Sequence, residues 1–206
     1  VSCIALVRAE QAAGRVVRYC KPVQTGVAAG EPGDADVVHA ATGVEVYEPA
    51  RFADPLAPAV AAALAGTTID LRTLADTING LDPIEGTLLV EGAGGILVPL
   101  TETATMADLA ARLDAEVVVV TTAALGTLNH TALTLEAAHA RGLRVAGLVV
   151  AMLPGTLGVT EETNLERLSA LAPVLGVVPV VADPAEARLG PLPIRQPQPR
   201  PDQTRP

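Results

Sequence analysis

Several residue types are scarce in this chain of 206 residues, and each shortage limits what it can do. There is no tryptophan, and Tyr19, Tyr47 and Phe52 are the only aromatic residues. Stacking on nucleobases therefore cannot be a main binding device. The two cysteines, Cys3 and Cys20, lie in apolar runs and lack metal-ligand spacing. This favours two buried thiols in a reducing compartment.

Long apolar runs and excess positive charge are also lacking. No run approaches the ~20 apolar residues that span a bilayer, and the sequence does not open with the pattern of a signal peptide. The formal net charge of −9 argues against a nucleic-acid groove and against an anionic membrane surface. We therefore expect a cytoplasmic protein that binds neither nucleic acid nor membrane. A small anionic ligand held by local backbone dipoles remains compatible with this charge.

Lysine occurs once, as Lys21, in a chain with thirteen arginines. The bland interpretation is a lysine at a strand end that points into water. The alternative is functional, because arginine and lysine are not interchangeable where a compact ammonium must reach a phosphate or a carbamate. The stretch CKPVQTG at residues 20–26 is therefore a candidate site.

Apolar periodicity predicts alternating helices and strands. Helices are predicted over 2–13, 34–43, 57–66, 70–80, 105–112, 128–140 and 161–171, and strands over 16–20, 87–90, 116–122, 143–150 and 175–180. Three of the strands are almost continuously apolar, which is typical of strands buried on both faces of a parallel sheet. The predicted fold is a doubly wound α/β structure with helices on both faces. We expect one domain over residues 1–187, and a disordered, proline-rich tail over residues 188–206.

Candidate ligand-binding residues follow the strands, because ligands of such folds gather at the carboxyl ends of the strands. They are Lys21 and Thr25; Glu91, Gly92, Ala93 and Gly94; Gly126, Thr127, Leu128 and Asn129; Ala151 and Met152; and Pro179 and Val180.

Glu91, Asp34 and the stretch 126–129 have two interpretations each. Glu91 either starts a turn or holds Mg²⁺, and the glycines after it either permit the turn or let the backbone approach phosphates. Asp34 either caps a short helix or is a second metal carboxylate. The stretch 126–129 is either a plain helix start or a site for a carboxylate or phosphate. His39 and His139 have no Ser, Cys or acidic partner at a useful spacing, and His130 is expected near the site rather than in it.

Six motifs in this order make the chain resemble a known family. They are CKPVQTG, GDA, FADPLAP, VEGAGG, LGTLNHT and AGLVV. From Val1 to about Ala182 the chain resembles ATP-dependent dethiobiotin synthetases, which have a fold of the P-loop nucleoside-triphosphatase type. The resemblance implies a homodimeric, Mg²⁺- and ATP-dependent ligase of biotin biosynthesis. Its substrates would be 7,8-diaminopelargonate and CO₂ or bicarbonate, and the reaction would pass through a carbamate and a carbamic–phosphoric anhydride.

The resemblance also implies roles for individual residues. Lys21 would neutralise the carbamate and the transferring phosphoryl group, and Thr25 would hydrogen-bond the substrate. Asp34 and Glu91 would bind Mg²⁺, and the backbone at 91–94 would line the nucleotide. The stretch 126–129 would hold the substrate's tail carboxylate across a dimer interface. The four residues that would flank the base are Ala151, Met152, Pro179 and Val180.

The chain departs from the family pattern at two places. Ala151 stands where members often have an asparagine against adenine, so the nucleotide preference is open. The family's first central strand and its G-x-x-x-x-G-K-[ST] loop would precede Val1 and do not occur in this sequence. We expect a trimmed or misplaced start. The alternative is a catalytically silent, dimerising or regulatory relative; a different P-loop amidating or ATPase relative fits the motifs less well.

Overall fold

The computed structural model of the protein describes residues 1–83 and 85–191. The helices are α1 (Ser2–Ala12), α2 (Asp34–Thr42), α3 (Pro58–Leu64), α4 (Leu71–Asn79), α5 (Met106–Arg112), α6 (Thr127–His139) and α7 (Val159–Leu171), followed by a 3₁₀ turn at Pro184–Glu186. The strands are β1 (Val16–Cys20), β2 (Val23–Thr25), β3 (Glu45–Tyr47), β4 (Ala50–Phe52), β5 (Gly86–Val90), β6 (Glu116–Thr121), β7 (Arg144–Leu153) and β8 (Val174–Pro179). Every pairing between these strands is parallel. The predicted α/β class is confirmed.

The strands form three hydrogen-bonded groups in place of one continuous sheet. The orders are β3-β1-β5, β2-β4 and β6-β7-β8. Within the described ranges, β5 pairs only with β1 and β6 pairs only with β7, so each has one unpaired edge. The apolar residues of β5 are only partly buried, and Val120 of β6 is 48% exposed.

Helices cover both faces of the strands, as predicted for a doubly wound fold. Val17 and Tyr19 of β1 pack in one cluster with α1, and the same cluster includes Val149 of β7. Cys20, the next residue after Tyr19, packs on the opposite side with α4 and α5. This alternation places successive side chains of β1 on opposite faces, and α1 links the two three-stranded sheets through one core.

Three short strands were not predicted. β2, β3 and β4 have three residues each and are mostly half-buried, so they lack a recognisable apolar pattern. β7 extends three residues beyond its predicted end at 150, because Leu153 still pairs with Pro179 of β8. The extension carries Ala151 and Met152 into the strand.

The predicted tail begins close to the core. Leu189 packs against the α1 cluster, and Gly190 exchanges two backbone hydrogen bonds with Val177 of β8. Residues 192–206, most of that predicted tail, lie outside the described residues. The division into a domain over 1–187 and a tail stays a prediction.

Candidate active site

Lys21 and Glu91 meet because they follow neighbouring parallel strands. Lys21 is the first residue after β1, and its N–H donates to the carbonyl of Tyr47 at the end of β3 (2.9 Å). Glu91 is the first residue after β5, and its N–H donates to the carbonyl of Cys20 (2.8 Å). Both side chains therefore start from the carboxyl edge of one sheet.

Lys21 is a buried ammonium paired with two carboxylates. It is 5% exposed, which excludes the interpretation of a lysine that points into water. Its Nζ lies 2.6 Å from Oδ2 of Asp34 and 2.8 Å from Oε1 of Glu91. It also donates to the carbonyl of Gly92 at 3.4 Å. The structure thus brings together the three charged residues selected from the sequence.

The charges in this cluster reinforce one another. Burial disfavours the ammonium of Lys21, but the carboxylates of Glu91 and Asp34 outweigh it, so the pKa of Lys21 is raised. Burial likewise disfavours the carboxylate of Glu91, but Lys21 and hydrogen bonds outweigh it, so the pKa of Glu91 is lowered. Lys21 and Glu91 therefore stay charged near neutral pH.

Two residues of this cluster were missed from the sequence. Tyr19 is fully buried, and its hydroxyl donates to Oε2 of Glu91 at 2.8 Å. The Cys3 thiol, near the start of α1, lies near the same carboxylate. Burial, followed by the charge of Glu91, raises the pKa of both Tyr19 and Cys3. Tyr19 therefore acts as a neutral donor that orients Glu91, and the Cys3 thiol stays neutral beside it. Their only signal in the sequence was a position on elements that border the strand end.

Asp34 is not the cap of α2, and that interpretation was wrong. The cap is Gly33, whose N–H is bound by the carboxylate of Asp36 at 2.8 Å. Asp34 is the first helical residue, and its N–H donates to Oε1 of Gln24 at 3.0 Å. Its own carboxylate is thus available to Lys21.

The small residues after Glu91 have local packing reasons as well. Gly94 has φ +77°, and a Cβ there would lie 2.8 Å from a methyl of Val98. A Cβ on Gly92 would lie 3.1 Å from Cε of Met106, and Ala93 is buried. These positions hold a tight turn, so the predicted approach of the backbone to phosphates stays a prediction.

The stretch Gly126–Asn129 caps and opens α6. Gly126 is the N-cap with φ +92°. Thr127 points inward: its hydroxyl lies 2.7 Å from that of Thr121 and donates to the carbonyl of Thr122 at 2.6 Å. Asn129 is exposed, and Leu128 packs partly against the core beneath α6 and α7. Among the described residues, no hydrogen bond or ion pair joins this stretch to the Lys21 cluster.

The four residues expected to flank the base lie on adjacent strand ends. Leu153 pairs with Pro179, and the N–H of Val180 donates to the carbonyl of Leu153 at 3.0 Å. Met152 is 66% exposed with φ +54°, whereas Ala151 is buried and offers no polar side-chain atom. The structure therefore brings these two predicted pairs side by side.

The carboxylates of Asp34 and Glu91 fit a magnesium site whose remaining ligands come from a nucleotide and from water. Mg²⁺ is usually held by one or two carboxylates together with substrate phosphates and waters. Asp34 and Glu91 are two carboxylates that converge on one point, now held by Lys21. In the described parts of the chain, no group of three or more His, Cys, Asp or Glu side chains could hold a metal by itself. This donor set suits a metal that arrives with a nucleotide.

Comparison with known proteins first defines the class. A family model described as an AAA domain matches residues 1–188, which agrees with the parallel α/β fold and its charged site at the strand ends. Proteins called ATP-dependent dethiobiotin synthetase BioD are similar over most of the chain. The relative from Parafrankia sp. (strain EAN1pec) is 50% identical over 174 residues, covering 82% of this chain and 73% of that one. The relative from Mycobacterium leprae (strain Br4923) is 43% identical over 189 residues, covering 91% and 84%.

A third similar protein of that name, from Anaeromyxobacter sp. (strain Fw109-5), is 51% identical over 154 residues, which are 73% of this chain and 69% of that one. The chain belongs to the ATP-dependent dethiobiotin synthetase family. The family membership inferred from the six motifs is thereby confirmed. No helix in the described part of the chain is long and apolar enough to cross a membrane.

Proposed function

We propose that this protein forms dethiobiotin from 7,8-diaminopelargonate, CO₂ and ATP. The observation that carries the proposal is the buried Lys21 ammonium between Asp34 and Glu91, at the carboxyl edge of a parallel sheet, in a chain of this family. The alternative of a catalytically silent relative finds no support in the comparisons.

The proposed reaction has three steps. One amine of the diamine attacks CO₂, loses a proton and becomes a carbamate. A carbamate oxygen attacks the γ-phosphorus of ATP, which gives a carbamic–phosphoric anhydride and releases ADP. The second amine attacks the carbonyl carbon, loses a proton and expels phosphate, which closes the ureido ring.

In this scheme Lys21 binds the negative charge of the carbamate and of the transferring phosphoryl group. A point charge already fixed at the site stabilises such charge without reorganisation at the moment of reaction. Thr25, four residues further along, hydrogen-bonds the substrate. Tyr19 keeps the carboxylate of Glu91 turned toward the reacting centre, because its hydroxyl donates a hydrogen bond to it.

Magnesium is part of the proposal. Asp34 and Glu91 would hold it, and when bound it would neutralise charge on the nucleotide phosphates. The backbone at 91–94 would line the phosphates, and the adjacent ends of β7 and β8 would flank the base. The apolar side chain of Ala151 leaves the base edge without a hydrogen-bond partner at that position, so we expect weak discrimination between ATP and other nucleoside triphosphates.

A homodimer and a cytoplasmic location complete the proposal. The stretch 126–129 would hold the tail carboxylate of the diamine at the interface. Two strongly exposed leucines support an interface there: Leu125 is 93% exposed and Leu133 is 55% exposed. The reducing compartment is supported by Cys3 and Cys20, which are both free thiols. Sedimentation of the wild type and of a Leu133→Asp variant tests the dimer.

The test of the activity is direct. Full-length protein is incubated with 7,8-diaminopelargonate, MgATP and ¹³C-bicarbonate, and the product is analysed by mass spectrometry. We expect dethiobiotin with the label in its ureido carbonyl, and phosphate release that depends on the diamine. Phosphate release that ignores the diamine, without labelled product, would overturn the proposed function.

A further inference from the structure

We propose that Gln24 is a positioning residue of this site, which holds Asp34 and Thr25 in place relative to Lys21. The inference rests on the proposed function, because it concerns residues to which that function gives roles. Gln24 is the middle residue of β2 and is 5% exposed. A buried amide needs hydrogen-bond partners at both of its ends, and here both partners are backbone atoms of site residues.

The two ends of the Gln24 side chain bind the next residue of its own strand and the first residue of α2. Its Oε1 accepts a hydrogen bond from the N–H of Asp34 at 3.0 Å. Its Nε2 donates to the carbonyl of Thr25 at 3.0 Å. One side chain thereby connects the strand that carries Thr25 with the first turn of α2.

The segment before α2 is pressed against this side chain. β2 and β4 pair in register, so that Gln24 lies beside Arg51, whose Nη1 donates to the carbonyl of Glu31 at 2.6 Å. A Cβ on Gly33 would lie 3.1 Å from Oε1 of Gln24 and 3.0 Å from Nη2 of Arg51. The chain leading into α2 therefore rests on two adjacent side chains of paired strands, and a larger residue at position 33 would require these side chains to shift.

This support fixes the carboxylate of Asp34. The residue begins α2, and its Oδ2 reaches Nζ of Lys21 at 2.6 Å. A shift in the first turn of α2 would move that carboxylate away from the ammonium. Displacements of about 1 Å at a catalytic group can lower rates about 10²-fold, so a residue that touches no reacting atom can still control turnover.

The test compares two glutamine-to-methionine variants. Gln24→Met keeps the length and flexibility of the side chain but removes both hydrogen bonds. We expect dethiobiotin turnover to fall about 10- to 100-fold. The control is Gln11→Met: Gln11 lies on the exposed side of α1, and its amide donates to the carbonyl of Thr42 at 3.1 Å. The control should keep wild-type kinetics.

Two further measurements separate positioning from simple stability. The assay temperature lies well below the unfolding midpoint. Circular dichroism gives the fraction of folded protein, to which the rates are normalised. Hydrogen exchange at the amide of Asp34 should be faster in Gln24→Met than in wild type and in Gln11→Met. A lowered unfolding midpoint with unchanged turnover and unchanged exchange would mean a structural role and overturn the inference.

A second variant keeps the test decisive if Gln24→Met does not fold. Gln24→Glu has the same shape and keeps the acceptor for Asp34, but it sets a carboxylate oxygen against the carbonyl of Thr25. We expect a raised KM for the diamine with a smaller change in kcat. Equal kinetics of Gln24→Glu and wild type would also overturn the inference. If the wild type makes no dethiobiotin, the proposed function itself fails, and this inference fails with it.

Discussion

Replacing Lys21 by arginine tests the central role of the ammonium while keeping its charge. Lys21 is 5% exposed, and its Nζ lies within 2.8 Å of both carboxylates. The planar guanidinium is bulkier and cannot be a point charge at that position. Loss of one preorganised donor toward developing charge lowers kcat about 10²- to 10³-fold. Crowding in the buried site should also cost about 1–3 kcal/mol of stability.

The assay is steady-state formation of dethiobiotin by the full-length protein, with the thermal midpoint measured in parallel. At about 2–4 °C per kcal/mol, the midpoint should fall by several degrees while the protein remains folded at the assay temperature. The control is the reverse exchange, Arg18→Lys, on the same strand. Arg18 makes a water-exposed ion pair with Glu45 at 2.8 Å, so this exchange should leave kcat within about twofold of wild type.

Two results would refute this reasoning. Unchanged kcat and KM in Lys21→Arg would mean that the ammonium does not act on the reacting groups. A raised KM for ATP with unchanged kcat would mean that Lys21 binds the ground state and transition state equally, and so is not catalytic in the proposed sense.

Three further predictions concern stability. Glu91→Gln should be less stable than wild type at neutral pH, and the difference in unfolding free energy should shrink as the pH falls below the ordinary carboxyl pKa of 4.5. The reason is that the lowered pKa of Glu91 contributes stability that is present above its unfolded pKa and lost as the pH falls through its folded pKa. A difference that stays constant down to acid pH would contradict this prediction. Asn164→Leu should lower the free energy of unfolding in urea by about 1–3 kcal/mol, because the buried Asn164 amide donates to two carbonyls of the β6–α6 loop at 2.8 and 3.1 Å. Ser169→Ala on the same helix is the control and should not lower it. Gly147→Ala should lower the free energy of unfolding by about 2–4 kcal/mol, since φ is +157° and a Cβ would lie 2.4 Å from a carbonyl oxygen. The control is Gly155→Ala, because a Cβ at Gly155 would have open space around it. Equal unfolding midpoints of the two variants would refute the prediction.

Much of the fold could be predicted because its cause is local and repetitive. The helix predicted over 2–13 is α1, and the strand predicted over 16–20 is β1 with the same ends. The apolar run at 116–122 becomes β6 because consecutive valines have a high preference for strands. The three-residue strands escaped prediction, since a segment such as 23–25 is too short to show a period.

The site was predictable only in part. Lys21 and Glu91 could be paired in advance, because neighbouring parallel strands end at one edge of a sheet. Gln24 lies inside the motif that drew attention to Lys21, yet its amide gave no sign of its partners. Tyr19 likewise was interpreted only as an apolar residue of a strand. The acceptor of its hydroxyl, Glu91, is 72 positions away along the chain, so no local pattern indicates the hydrogen bond.

The sequence by itself determined the alternation of helices and strands, the parallel class and the strand ends at which charged residues gather. These follow from backbone hydrogen bonding and from the burial of apolar faces, which act over a few residues. Only the tertiary structure decided that Asp36, rather than Asp34, serves the cap of α2 and that Asp34 turns to Lys21. It also decided that Thr127 points inward while Asn129 faces solvent. The physical reason is that a polar side chain bonds to the groups that tertiary packing places next to it. The local sequence pattern does not encode which groups those are.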